Sequence, residues 1–298
     1  MKTRLTVAIL LLAALLGVGL FWASSPTHVD AAALPIHTPD LANGERLYHI
    51  GGCISCHHPA DDSGADMKLP SGGAPLVTPI GTLYPPNITP DKATGIGAWT
   101  DANFVDAVQH GVSPVGAHYV PAFPYVSYGR MKTEDVLDLH AYLMTLPAVS
   151  APRKEDDIPF PWVLRRGVGL WQKMAALPQI TEDSSQSAIW NRGAYLVNGP
   201  GHCAECHTPR NAMMIMDTDQ AFAGGPHPEG RGQVPSLRDL IGRKKYKDAG
   251  ELADALKQGE EGFYNDLSKG GMAEVQHNIS LLPDEDIHAI AEYLSSLK

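Results

Sequence analysis

Basic side chains are in short supply: 23 lysines and arginines stand against 33 aspartates and glutamates, giving a formal charge of −10 over 298 residues. An acidic balance repels phosphate backbones and anionic headgroups, which excludes nucleic acid and an acidic lipid face as partners. Aromatic residues are scarce at 7%, while glycine and proline number 29 and 24, so the chain is rich in loops and poor in the large rings that fill a core. Two common chemical signatures are missing as well, the phosphate-cradling glycine loop and the His-Glu-x-x-His zinc motif. Cysteine is rarest of all, with only Cys53, Cys56, Cys203 and Cys206.

Those four fall into two Cys-x-x-Cys pairs, each followed at once by histidine, "CISCH" and "CAECH". This is the spacing for covalent attachment of haem c. On a short helical turn, residues three and four apart share a face, so Cys53, Cys56 and His57 converge on one flat ligand. The two thiols bond the porphyrin edge and the imidazole reaches the iron; Cys203, Cys206 and His207 do the same for a second haem, and the two haems fill space that aromatic residues leave empty. The alternatives are a structural disulfide, a thioredoxin-like redox pair, and a zinc knuckle. A disulfide does not call for the adjacent histidine, and a redox pair belongs with a βαβ pattern that is not discernible here. A zinc knuckle would have to gather ligands 150 residues apart. His58 has no counterpart, because Thr208 follows His207, so His58 is assigned a surface or propionate contact and no iron.

Haem attachment of this kind in bacteria takes place outside the cytoplasm, and the N-terminus carries an export signal. Lys2 and Arg4 precede an uncharged run of 19 residues, 5 to 23. A signal-peptide core takes about 7 to 15 residues and a membrane span about 20, so the run favours an anchor oriented N-terminus inward, with Trp22 at the far interface. The small-residue stretches at 23–25 and 31–33 keep open a cleaved leader. The expected location is the periplasmic side of the bacterial cytoplasmic membrane, or the soluble periplasm if the segment is removed.

An internal repeat organises the rest. Gly44 lies nine residues before Cys53 and Gly193 ten before Cys203; Phe104 and Leu252 each stand seven residues before a glycine; Asp135 to Tyr142 matches Asp286 to Tyr293. Each half reads as an entry helix, an attachment turn, a middle helix and a closing helix. Thr100 is expected to cap the first middle helix and Gly111 to stop it. Thr133 is expected to cap the first closing helix, with Val136, Leu139, Tyr142 and Leu143 as its apolar stripe, and Pro283 to sit in the first turn of the second. The divisions are 1–34, anchor or signal; 35–150, first domain; 151–187, connector; and 188–298, second domain. Phe160, Trp162, Leu164, Leu170 and Trp171 make the connector too apolar to lie in water, so it should pack across the domains.

The stretches "PIGTLYPPNITPDKATGIGAWTDANFVDAVQHGVSP" (79–114), "YVPAFPYVSYGRMKTEDVLDLHAYL" (119–143), "IPFPWVLRRGVGLW" (158–171) and "GMAEVQHNISLLPDEDIHAIAEYL" (271–294) resemble the c-type cytochrome subunits of membrane-bound bacterial dehydrogenases acting on alcohol, gluconate and aldehyde. Several of those subunits carry three haems, whereas this chain has motifs for two. The resemblance implies a mainly α protein, with two tandem class I-type cytochrome c domains after an N-terminal transmembrane helix or signal segment. It implies two covalently attached haems c, which move electrons from a quinoprotein, flavoprotein or molybdoprotein dehydrogenase subunit to a quinone, a cytochrome or an oxidase, without catalysis by the chain itself.

The far side of each iron is either filled or left open, a choice that separates an electron carrier from an enzyme, and a methionine there raises the potential. The resemblance assigns Met131, which immediately precedes the first closing helix and lies 74 residues after His57, and Met272, which lies 65 after His207. Met67 and the cluster Met213, Met214 and Met216 follow their histidines too closely to cross the ring, and Met144 sits within the closing helix. His277 is the rival of Met272. Arg210 is a candidate for a haem propionate, and residues 84–87 for the wall of the first haem. The competing function is a dihaem peroxidase, which needs an open iron and an acid–base group above it; a terminal-oxidase cytochrome subunit and a gas sensor are further readings. Deletion of residues 1–24 is expected to release the protein from membranes without loss of haem, as measured by fractionation with haem staining.

Overall fold

The computed structural model describes residues 2–60, 68–158, 165–228, 230, 232–258 and 271–298. It is mainly helical. Helix α1 (Lys2–Ala23) is long and apolar enough to cross a membrane, and its side chains are exposed throughout the span. The first half continues with α2 (Leu41–Ile50), α3 (Cys53–His57), the hairpin β1 (Leu76–Thr78) and β2 (Gly81–Leu83), α4 (Asp101–His110), α5 (Tyr125–Tyr128) and α6 (Thr133–Leu143). Helix α7 (Arg165–Ala175) lies in the connector. The second half repeats the order with α8 (Ala188–Asn198), α9 (Ala204–His207), the short pair β3 (Gly225–Pro226) and β4 (Gln233–Val234), α10 (Ala249–Gln258), α11 (Gly271–Ser280) and α12 (Asp284–Ser296).

The repeat is closest where entry and closing helices cross. A Cβ on Gly44 of α2 would strike the Asp138 carbonyl and lie 2.7 Å from Tyr142 Cβ of α6. A Cβ on Gly193 of α8 would strike the Ala289 carbonyl and lie 2.9 Å from Tyr293 Cβ of α12. Only glycine lets two helix backbones approach this closely. Polar pairs fix the same register. Asn43 donates to Asp135 at 2.7 Å and Arg192 to Asp286 at 2.8 Å, and both acceptors stand 151 positions apart, as do Tyr142 and Tyr293. One core gathers Leu47, Tyr48, Phe104, Val105, Val136 and Leu143; the other gathers Leu196, Val197, Leu252, Ile287, Ile290 and Leu294.

The ends of α4 are as expected. Thr100 accepts from the Asn103 N–H while the Asn103 side chain accepts from the Thr100 N–H, and the chain turns left-handed at Gly111. The start of α6 differs: Lys132 holds the cap position and Thr133 is the first helical residue, its hydroxyl turned to Gln109 Oε1 at 3.5 Å. Pro283 likewise sits at the cap of α12, one place earlier than expected.

The chain just after α1 is woven into the first half. The Asp106 carboxylate, buried on α4, takes hydrogen bonds from His28 Nδ1 and the Val29 N–H, each at 2.7 Å. Asp138 takes them from His37 Nε2 at 2.6 Å and the Asp40 N–H at 2.7 Å. The C-terminal carbonyls of α1, where a cation is favoured by the helix dipole, meet α7: Arg166 donates to Phe21 O at 2.9 Å and Lys173 to Ala23 O at 2.6 Å. In the connector, Trp171 packs edge-on against Tyr125 of the first half and donates its Nε1–H to Met213 O of the second at 2.7 Å. Phe160, Trp162 and Leu164 lie outside the described residues. Gly44→Ala and Gly193→Ala are each expected to cost about 1–3 kcal/mol by forcing the crossed helices apart, as measured by guanidinium unfolding of the haem-loaded protein.

Candidate functional site

Each attachment turn follows its entry helix after a two- to five-residue bend, and each histidine closes the turn. His57 Nδ1 lies 2.7 Å from the Pro86 carbonyl, and His207 Nδ1 lies 2.8 Å from the Pro235 carbonyl. A carbonyl can only accept, so Nδ1 carries the proton in both rings and Nε2 is left with its lone pair. Burial pushes both imidazoles below their ordinary pKa, outweighing the carbonyls that act the other way. Two neutral imidazoles, each held in the tautomer that presents Nε2, fit the role of iron ligands, because ligating histidines commonly give their other N–H to a backbone carbonyl. The same loops return a second bond: the Gly72 N–H donates to His57 O at 2.6 Å and the Gly224 N–H to His207 O at 2.8 Å.

The cysteines are not joined in disulfides. Burial, with Cys56 alongside, pushes the Cys53 thiol up to about 12, and burial with Cys206 does the same to Cys203. Such thiols stay protonated, which suits neither a thiolate redox pair nor a zinc cage. No group of three or more His, Cys, Asp and Glu side chains among the described residues has the geometry of a metal cage. Two thiols and one neutral imidazole on a single turn are the donor set that haem c requires.

The two turns meet across the seam between the halves, and they do so reciprocally. Ser127 of α5 donates to Glu205, the second residue between Cys203 and Cys206, at 2.8 Å. Asn278 of α11 donates to Ser55, the second residue between Cys53 and Cys56, at 3.1 Å. Ser127 and Asn278 are 151 positions apart and so occupy equivalent places in the repeat. Between the turns, the Gly51 carbonyl accepts from Tyr128 at 2.8 Å and from His202 at 3.3 Å. Ile50, which leads into the first turn, joins the core of the second half. Tyr195 of α8 reaches across to Asp135 and accepts from the Lys132 N–H at 3.1 Å.

The remaining sequence candidates fall in several places. Met272 stands half-buried in the first turn of α11, on one face with Val275 and Ile279, which pack into the second core; its rival His277 is exposed. Met131 is 3% exposed in the first core and abuts the second half, its Cγ 3.8 Å from where a Cβ on Gly199 would sit. Met67 lies outside the described residues. Met213 and Met214 are exposed. Arg210 is not turned outward for a propionate: its guanidinium pairs with the Glu205 carboxylate and donates to Glu205 O at 2.9 Å and Met214 O at 2.8 Å. Within 84–87, Pro86 supplies the carbonyl to His57, while Asn87 donates to Val149 O at 2.7 Å and is structural. Among the described residues His58 makes a local bond, to Pro59 O at 2.9 Å. Sequence reasoning missed Ser55, Ser127, Glu205, Asn278 and Pro235; the signal for Pro235 was its place 28 residues after His207, against 29 from His57 to Pro86.

Comparison with known proteins agrees with this donor set. The family profile described as "Cytochrome c" matches residues 41–147. Over 294 residues the chain is 41% identical to a "Diheme cytochrome c-type" protein of Cereibacter sphaeroides, covering 99% of this chain and 98% of that one. It is 35% identical to the fructose dehydrogenase cytochrome subunit of Gluconobacter japonicus over 92% of this chain, and 36% identical to the gluconate 2-dehydrogenase cytochrome c subunit of Pantoea cypripedii over 86%. The chain spans 55% and 59% of the length of those two subunits.

Glu205→Ala would leave the Arg210 guanidinium, 15% exposed, without its counter-charge. We expect it to cost about 3 kcal/mol, against about 1 kcal/mol for Ser127→Ala, as measured by denaturant unfolding of the two variants.

Proposed function

The chain belongs to the dihaem cytochrome c family, and from that membership we propose that it accepts electrons from a dehydrogenase subunit at one haem, passes them to the other across the seam, and delivers them to the respiratory chain. It carries two covalently attached haems c, and its biochemical work is electron transfer. Each haem supplies an iron that cycles between ferrous and ferric states; the protein holds it, shields it and sets its potential. Cys53, Cys56 and His57 hold the first haem, and Cys203, Cys206 and His207 the second. The Pro86 and Pro235 carbonyls fix the imidazole tautomers and raise the basicity of Nε2. Met272 is the proposed sulfur ligand of the second haem, on the inward face of α11.

The observation that carries this reading is the reciprocal contact of the attachment turns, Ser127 with Glu205 and Asn278 with Ser55. It joins the two cysteine-bearing turns through the protein itself, so an electron passes between haems within one molecule. We assign residues 35–150 and 188–298 to the two haem domains and 151–187 to the connector that fixes their orientation. For the N-terminus we propose an uncleaved anchor with both domains on the periplasmic side. Removing residues up to 33 would strip the buried Asp106 carboxylate of His28 and the Val29 N–H, and removing those up to 25 would take away the carbonyls that Arg166 and Lys173 cap.

The relatives act with fructose and gluconate dehydrogenases, which supports a dehydrogenase of small hydroxylated substrates as the electron donor. An affinity-tagged full-length chain, purified from gently solubilised membranes, is expected to bring down a quinoprotein, flavoprotein or molybdoprotein whose substrate reduces both haems, followed optically. Isolation with no dehydrogenase, together with rapid turnover of hydrogen peroxide, would instead make it a peroxidase.

A further inference from the structure

We infer that the first haem, unlike the second, has no methionine on its far side: Met131 is a core residue, and the place corresponding to Met272 falls on the segment around Phe123. The inference rests on the two-haem reading above and concerns only what faces the first iron.

The repeat register is continuous from before each closing helix to its end. Ser127 and Asn278 make the reciprocal seam contacts; the Met131 N–H donates to Tyr128 O and the Leu282 N–H to Ile279 O, both at 3.0 Å; the Val136 and Ile287 N–H groups donate to Lys132 O and Pro283 O, both at 3.2 Å. Every pair is 151 positions apart. Met131 is therefore the counterpart of Leu282, a side chain with no ligating atom, and the two are buried alike at 3% and 2%. A residue that fills a hydrophobic core position in one copy fills it in the other. Met131 also comes close to the second half, its Cγ 3.8 Å from where a Cβ on Gly199 would sit.

Carried back from Met272, the same offset falls on Pro121, two residues before Phe123, in a stretch, 119–125, that contains no methionine. Phe123 is enclosed by Tyr119, Tyr125 and Tyr128, its ring centroid 6.0, 6.4 and 5.6 Å from theirs and each pair edge-on. The group facing the first haem is thus an aromatic cluster without a thioether. The stretch 119–125 holds no histidine either; the flanking His118 has its Nε2 2.9 Å from Ser24 O, and His140, stacked on Phe104, has its Nδ1 2.8 Å from Asp101, while the second ring nitrogen of each is buried without a partner among the described residues. The first iron then keeps its sixth position for a small neutral ligand. Lacking thioether ligation, it has the lower potential of the two, so electrons run from the first haem to the second.

Carbon monoxide and the methionine-to-ferric-iron charge-transfer band test this on the haem-loaded full chain. A pyridine haemochrome content of two haems per chain checks the underlying reading separately. The wild-type ferrous protein is expected to bind one carbon monoxide per chain. Met131→Leu should keep that stoichiometry and the charge-transfer band, whereas Met272→Ala should abolish the band and raise binding to two. Loss of the band in Met131→Leu, or a wild-type protein with two haems that binds no carbon monoxide, overturns the inference. Should Met131→Leu not fold, the wild-type stoichiometry alone decides.

Discussion

The absence of a side chain at Gly44 and Gly193 is the constraint on which the rest of the protein depends. It lets the entry helix of each half lie directly against the backbone of the closing helix, at Asp138 and Tyr142 in one and at Ala289 and Tyr293 in the other. That contact fixes the closing helix in rotation as well as position. Asn43 and Arg192, one residue before the glycines, then meet Asp135 and Asp286, and the attachment turns at the far end of the entry helices are presented at a set distance from the segments that precede α6 and α12.

The same crossing explains how two copies of one small domain become a single conductor. Because the register is shared, Ser127 and Asn278 emerge at equivalent places, and each reaches the other half's attachment turn. The chemistry of the two links differs. Glu205 also carries the charge balance for Arg210, so that link is bound into an ion pair with little solvent access, while the Asn278 to Ser55 link is a neutral hydrogen bond. Neutral hydrogen bonds contribute about 1 kcal/mol each, so the seam owes its strength equally to Ile50 in the second core, to the Tyr195 bond to Asp135, and to Trp171 spanning both halves.

The attachment turns were legible in the sequence because their pattern is local: Cys53, Cys56 and His57, and likewise Cys203, Cys206 and His207, each fall on one short turn. The helical repeat was legible for a related reason, since Gly44 and Gly193 and the paired Asp and Tyr positions recur at nearly constant separation. What depends on register through space was not. Arg210 is five residues from Glu205 and reads as an outward cation, yet the bend between them folds it back. Thr133 looks like a cap, but Gln109 from another helix claims its hydroxyl. The middle residues of each Cys-x-x-Cys carry no signal, because their partners lie in the other half.

Met131 shows most clearly which distance matters. Measured from the histidines, 74 residues to Met131 and 65 to Met272 look alike. The loops between are of unequal length, however, and nothing holds such a count constant. Measured back from the tyrosines that pack on Gly44 and Gly193, the separations are 11 and 21, and a helix that is clamped at the tyrosine cannot absorb ten residues of difference. The rigid reference is the helix crossing, not the attachment turn. An aromatic cluster in one half and a thioether in the other would let two nearly superposable domains hold their irons at different potentials, and a conductor built from a repeated unit needs such an inequality to give the electron a direction.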